Sequence, residues 1–342
     1  MGLSNVTSLR TIPSSSTIAI AALVASIVIA TTSSASAAAN DFSDMGVASP
    51  YAAVDARNEG LSFDNLPGFT RGAYERDHAL ITPESRVYTG LFGWKNTNAA
   101  WLVTPAMHGG PQFSMYQALM RPDSESGVPV AGAWRFVFVM DGEVFVTEEK
   151  PETEGATTVT STTHTLRHGG YAYFPADHPH KMTSTKGASL LIYEKQYVPP
   201  SGAVAAALGP DPPTPTVVVG HTDDQPHIPT PGEVFGLKKL LPQTLEWDVN
   251  FHVMDFNPGE HLYVKEIHYN QHGLMLLEGK GIYRLNDKWY SVQAGDVIWM
   301  APYVTQWYAA LGYNRSRYII LKDTNRDPIQ PYTPGTTTRE RD

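Results

Sequence analysis

Glu266, His268 and His272 fall within seven residues of one another, in the string VKEIHYNQHG (264–273). Two imidazoles and a carboxylate are groups that bind a divalent ion or move protons near neutral pH. On a strand, Glu266 and His268 are two apart and point to one face. Tyr269-Asn270-Gln271 reads as a turn-like step that brings His272 back. Gln306 completes the set from a later segment. Two imidazole nitrogens, a carboxylate and an amide oxygen suit Mn²⁺ or Fe²⁺, with Zn²⁺ or Ni²⁺ also admitted. Four such ligands leave two octahedral positions for substrate or water. The chain has no cysteine, which excludes thiolate-held zinc, iron–sulfur clusters, disulfides and thiol catalysis.

The elements that must position these groups read as strands. The 342 residues include 28 Gly and 26 Pro, and short β-branched and aromatic runs recur between turns. That pattern predicts an all-β sandwich or barrel. FVFVMDGEVFV (136–146) and LMLLEGKGIYRL (274–285) are two such runs. Asp141-Gly142 inside the first is expected to be a hairpin turn.

These runs also repeat. Gly142 and Gly279 match at an offset of 137 residues. GGYAYFPADHPH (169–180) and GDVIWMAPYVTQ (295–306) match at an offset of 126. The shorter offset implies an insertion in the first copy, and the polar stretch from Glu148 to Thr163 is expected to be that surface loop. Under the longer offset, Glu266, His268 and His272 fall opposite Pro129, Ala131 and Arg135, while His180 stands opposite Gln306. The first copy is therefore expected to hold no metal. The division read from the chain is 38–198 for the first copy, a Pro/Ala/Thr-rich linker over 199–232, and 233–342 for the second copy.

Residues 1–37 read as a secretory leader. IAIAALVASIVIA (18–30) has the length of a signal-peptide apolar region, and Ala35-Ser36-Ala37 fits a cleavage site. No other segment reads as a membrane span. Net charge is −9 without basic runs, which argues against a nucleic-acid surface. Asn314-Arg315-Ser316 is a glycosylation sequon of low specificity.

The strings 264–285, 295–306 and RSRYIILKDTNRDP (315–328) resemble the bicupins, chains of two tandem cupin jelly-roll barrels. Glu266 stands where the cupin pattern places its first His, His272 where it places Glu, and Gln306 replaces the last His. This permuted set resembles the plant-type (S)-ureidoglycine aminohydrolases. The resemblance implies a Mn²⁺-dependent hydrolase that converts (S)-2-ureidoglycine to (S)-ureidoglycolate and ammonia, in the catabolism of purine-derived allantoate. It implies Glu266, His268, His272 and Gln306 as metal ligands, with Glu266, Gln306, Tyr283, Tyr318 and Lys322 on the substrate and Glu266, Tyr318 and Lys322 in catalysis. It further implies the endoplasmic reticulum and a homo-oligomer, expected as an octamer.

The residues read alone leave alternatives. Tyr318 and Lys322, four apart, share a strand face and would grip a carboxylate or ureido oxygen. If Ile319 and Leu321 face the core instead, Lys322 is a solvated lysine. His178 and His180 read as vestigial or structural, His164 and His168 lack an evident acidic partner, and His252 and His261 read as packing or supporting residues. A cupin oxidoreductase of the oxalate oxidase or dioxygenase type, or a metal-free storage or binding bicupin, would use the same fold. The unusual ligands Glu266 and Gln306 argue against the first, and intact His268 and His272 against the second.

Overall fold

The computed structural model of the chain describes residues 70–151 and 159–328, so the leader read in 1–37 lies outside the described residues. The chain is an all-β bicupin with two strand-built cups. The first cup is a nine-stranded sheet with the path β11 (Val218–His221), β8, β6, β10, β5, β4, β3 (Thr89–Gly90), to which β7 and β9 add. Its main strands are β4 (Lys95–Val103), β5 (Ser114–Glu125), β6 (Ala133–Pro151), β7 (Val159–Arg167), β8 (Gly170–Phe174), β9 (His180–Ser184) and β10 (Ala188–Gln196). The second cup follows the path β1 (Ala73–Tyr74), β2 (His78–Ile81), β17, β14, β19, β13, β12 and adds a three-stranded sheet of β16 (Lys288–Gln293), β15 and β18. Its main strands are β12 (Gly236–Lys239), β13 (Val249–Phe256), β14 (His272–Glu278), β15 (Lys280–Leu285), β17 (Val297–Met300), β18 (Gln306–Ala310) and β19 (Ser316–Asp323). Among the described residues no helix is long and apolar enough to cross a membrane.

Period-two burial explains why the strands are apolar on both faces. In β19 all eight residues are buried. Tyr318 and Ile320 face the interior of the second cup, while Ile319 and Leu321 face the layer between the cups. β10 does the same, with Leu190 and Ile192 inside the first cup and Leu191 and Tyr193 between the cups. The intervening layer joins Trp134, Phe136 and Phe113 to Phe251, Met275 and Trp299. The Phe136 and Phe251 rings stack with centroids 3.6 Å apart. Burying a side chain of this size contributes about 1.5–3 kcal/mol, so this layer binds the cups as firmly as either interior binds itself.

Several expectations need correction. Asp141-Gly142 is not a hairpin turn: β6 runs through it as one strand. The chain bends there instead. Gly142 takes φ +76°, and the register with β10 slips between Ser189 and Leu190. Gly279 (φ +75°) makes the equivalent bend between β14 and β15, where a Cβ would come 2.6 Å from the Arg315 carbonyl oxygen. A two-residue turn signal thus marks a β-bulge, which needs the same left-handed glycine. The polar stretch from Glu148 to Thr163 is not a loop through its described part, because β6 and β7 pair from Glu143↔Arg167 to Pro151↔Val159. Its Thr-rich composition suits an exposed strand pair as well as a loop.

The division at 198 and 233 also misses an exchange of strands. β2 (His78–Ile81) precedes the first cup in sequence but pairs with β17 of the second. β11 (Val218–His221), inside the expected linker, pairs with β8 of the first. The rest of that segment includes one short helix, α1 (Gly202–Leu208). Arg71, just before β2, holds buried Asp296 with two hydrogen bonds of 3.0 and 2.8 Å. Asp296 is therefore an anchor for the exchanged segment as well as a turn residue.

Candidate functional site

Antiparallel pairing brings the site together. Glu266 and Gln306 exchange both backbone hydrogen bonds, each 2.9 Å, as an isolated bridge. A directly opposed pair of this kind places its side chains on the same face. Glu266 to His268 is therefore not a regular strand, as expected, but a loop pinned at Glu266 to Gln306 and at the His268 carbonyl, which accepts from Tyr303 N at 2.7 Å. The i, i+2 geometry survives because both ends are tied. His272 opens β14 and pairs with Met300 on one side and Lys322 on the other.

The four expected ligands converge. His268 Nε2 lies 3.4 Å from His272 Nε2, 2.9 Å from Gln306 Nε2 and 3.7 Å from Glu266 Oε2. Ligands at right angles around an ion with bonds near 2.1 Å stand about 3 Å apart; the His268–Gln306 separation matches that, and those to His272 and Glu266 are wider. His272 Nδ1 lies 2.8 Å from the Leu321 carbonyl and donates to it, which leaves the Nε2 lone pair aimed into the site. Burial, then the neighbouring His268, holds the His272 imidazole well below its usual pKa and so neutral. Rotating the Gln306 amide by half a turn presents its oxygen to the centre, an assignment that the hydrogen-bond network alone decides.

Around this group lies a cavity lined by Tyr283, Tyr318, Lys322 and His252, with an apolar wall that includes Phe235 and Met254. Lys322 is 9% exposed and lines the cavity. The alternative of a solvated lysine is set aside because both faces of β19 are buried: Ile319 and Leu321 do face a core, yet Tyr318, Ile320 and Lys322 on the other face line the cavity. Tyr283 Oη lies 3.3 Å from Gln306 Oε1 and donates to it as the amide stands; with the amide rotated it would instead accept from Nε2, freeing its own proton. Burial, helped by the Glu266 carboxylate, pushes its phenol up. Burial also raises Tyr318, with Tyr283 next in effect. Both therefore stay neutral hydroxyl donors at physiological pH. Glu266 and His268 side chains are 19% and 20% exposed, whereas His272 and Gln306 are buried, so the cavity opens on the Glu266 side.

Sequence reasoning missed the cavity walls and read His252 only as a packing or supporting residue. His252 is buried and lines the cavity from β13, where it pairs with Ile320. Its signal was present: it stands two residues before Met254 on a strand whose even positions face inward. His261 does not support the site. Its Nδ1 lies 2.9 Å from the Leu262 carbonyl and its ring packs on Trp307.

The first cup shows what replaces this chemistry. Arg135, opposite His272, reaches His180, opposite Gln306, with Nη1 to Nε2 at 3.2 Å. The same Nη1 donates to the Gly127 carbonyl at 2.9 Å, and Nε donates to Glu194 Oε1 at 2.6 Å. Glu194 pairs with Arg135 as Lys322 pairs with His272. Arg135 thus puts a permanent cation where the second cup has His272, and Glu194 a carboxylate where it has Lys322. Burial, then Arg135, pushes His180 down to about 3, and it accepts as a neutral ring. Contrary to expectation, His164 does have an acidic partner: His164 and His178 flank Glu148 at 3.3 and 3.2 Å.

No protein-family model matches the chain. It is 51% identical over 265 residues to the probable (S)-ureidoglycine aminohydrolase of Oryza sativa subsp. japonica, covering 78% of this chain and 79% of that one. It is equally identical to the (S)-ureidoglycine aminohydrolase of Arabidopsis thaliana, covering 82% of that protein. Among solved structures, protein Ylba of Escherichia coli matches with TM-score 0.62 at 27% identity, over 78% of this chain and 99% of that one. The oxalate decarboxylase of Bacillus subtilis matches with TM-score 0.54 at 12% identity, over 75% and 78%, which is a likeness of fold alone.

Proposed function

The chain belongs to the (S)-ureidoglycine aminohydrolase family, and from that premise we propose that it hydrolyses (S)-2-ureidoglycine to (S)-ureidoglycolate and ammonia, with Mn²⁺ as its ion. The observation that carries the reading is the convergence of Glu266, His268, His272 and Gln306 beside Lys322 and two neutral tyrosines. In the reaction, water gives a hydroxyl to the carbon, the carbon–amine bond breaks, and one proton passes from water to the departing nitrogen. A bound divalent ion would supply Lewis acidity at that carbon's substituents.

The protein's own groups account for the remainder. Lys322 offers a cation to the substrate carboxylate from the cavity wall. The Tyr283 and Tyr318 hydroxyls donate to the ureido oxygen or carboxylate, and the raised phenols keep those protons. Glu266 stands on the open side, where water enters, and is the carboxylate that carries the proton between water and amine. The apolar wall of Phe235, Leu237, Met254 and Ile320 limits bulk water. A place in the breakdown of purine-derived allantoate, entry to the endoplasmic reticulum through the 1–37 leader and assembly as a homo-octamer belong to the same proposal.

The test is ammonia release from freshly generated (S)-ureidoglycine, with allantoate as the comparison. Release is expected with ureidoglycine, loss on chelation, return on adding Mn²⁺, and at least a hundredfold loss of activity (roughly, from typical second- and first-sphere effects) in His268→Ala. Turnover of allantoate instead, or undiminished turnover after chelation, would overturn the reading.

A further inference from the structure

The first cup carries no ligand for the site, yet it grips the loop that does. Lys195, at the end of β10, is 6% exposed and extends across the layer between the cups. Its Nζ lies 3.0 Å from Asp248 Oδ2 and 3.2 Å from Asp323 Oδ1. Lys195 stands one residue beyond Glu194, and Asp323 one residue beyond Lys322, so the pair links equivalent positions on the two cups' site strands. Asp323 passes the constraint on. Its carbonyl accepts from the Asn270 amide, and its carboxylate is hydrogen-bonded to Gln271. Asn270 and Gln271 are the two residues immediately before His272, in the loop that joins it to His268.

Two more contacts from the first cup converge on the same stretch. Gln112 N donates to Gln271 Oε1 at 2.9 Å. Tyr193 donates to the Gly273 carbonyl at 3.3 Å. The first cup thus holds Gln271 and Gly273, on either side of His272, while Asn270 and Lys322 are held through Asp323. An irregular loop has no ladder to fix it, and ligand placement to a few tenths of an ångström needs such support.

We infer that Lys195 is a positioning residue for the site: through Asp323 and Asn270 it fixes the loop that places His268 and His272. The arginine-filled cup is then the brace of the working one. This rests on the proposed Mn²⁺ site, and the test separates the two.

Full-length protein is stripped with EDTA, and Mn²⁺ affinity, the Mn²⁺ electron paramagnetic resonance spectrum and ammonia release are measured for wild type, Lys195→Met and Asn270→Ser. Both variants are expected to bind Mn²⁺ on the order of tenfold more weakly, with a broadened spectrum and lower kcat. Asn270→Ser leaves the Lys195–Asp323 pair intact and decides the matter if Lys195→Met does not fold. Wild-type affinity and spectrum in folded Lys195→Met, or in Asn270→Ser, would overturn the inference even if melting temperature fell. A wild type that neither takes up Mn²⁺ nor releases ammonia would overturn the site reading itself, and the inference with it.

Discussion

Gly273 follows His272 on β14, and its α-carbon faces the layer between the cups. A Cβ there would come within 2.6 Å of Phe113 Cε2 and Cζ and 3.3 Å of Met115 Sδ. Phe113 is 1% exposed and packs toward Tyr193, so its ring has little room to yield. Gly273→Ala should therefore act as an overpacking substitution costing about 1–3 kcal/mol. Melting should fall by about 2–4 °C for each kcal/mol in a chain of this size. The lost stability has a named partner, which makes the claim sharp. In a Phe113→Leu background the ring edge is gone, and the alanine should cost little, a coupling of about 0.5–3 kcal/mol. Urea unfolding of the two single variants and the double variant measures it. Strict additivity, or a Gly273→Ala protein as stable as wild type, would refute the steric reading. Ammonia release should fall as well, because β14 can relieve the contact only by shifting His272.

The first cup supports two further expectations. Glu194→Gln leaves the Arg135 guanidinium, 1% exposed, facing a neutral His180 without its carboxylate, and should cost about 3–5 kcal/mol in urea unfolding. His180 sets a pH dependence. Its folded pKa near 3 lies below the ordinary value, so its stabilisation is complete above about pH 6.5 and is lost as pH falls toward 3. Between pH 7 and 5 wild type should lose about 2 kcal/mol that His180→Gln keeps, and equal losses in the two would show that the ring titrates normally.

Much of the site was legible because its logic is local. Glu266, His268 and His272 sit in one short string, and the repeat delivered Gln306 and the failed copy by simple offset. Strand periodicity put Tyr318 and Lys322 on one face but left the lysine open to solvent, and the family resemblance supplied their roles. The cavity wall was not legible, since Phe235, Leu237 and Met254 look like any core residues until the strand path turns them inward. Asp141-Gly142 misled because a left-handed glycine serves a hairpin and a bulge alike, and only the partner strand distinguishes them. The Lys195–Asp323 pair was invisible for another reason: 128 residues separate its members, and neither shows a motif.

The exchanged strands carry a consequence for how the molecule is made. His78–Ile81 meets its partner Val297–Met300 more than two hundred residues downstream. On the ribosome that early strand is synthesised before either barrel and has only the two-residue strand Ala73–Tyr74 to pair with until nearly all the described chain has emerged. A fragment beginning at residue 233 would lack the edge that covers Trp299 and Met300, so cutting between the halves does not yield an autonomous catalytic piece. Each half closes only with a strip lent by sequence that lies ahead of its neighbour, which makes the pair a single interlocked unit of inheritance and of folding.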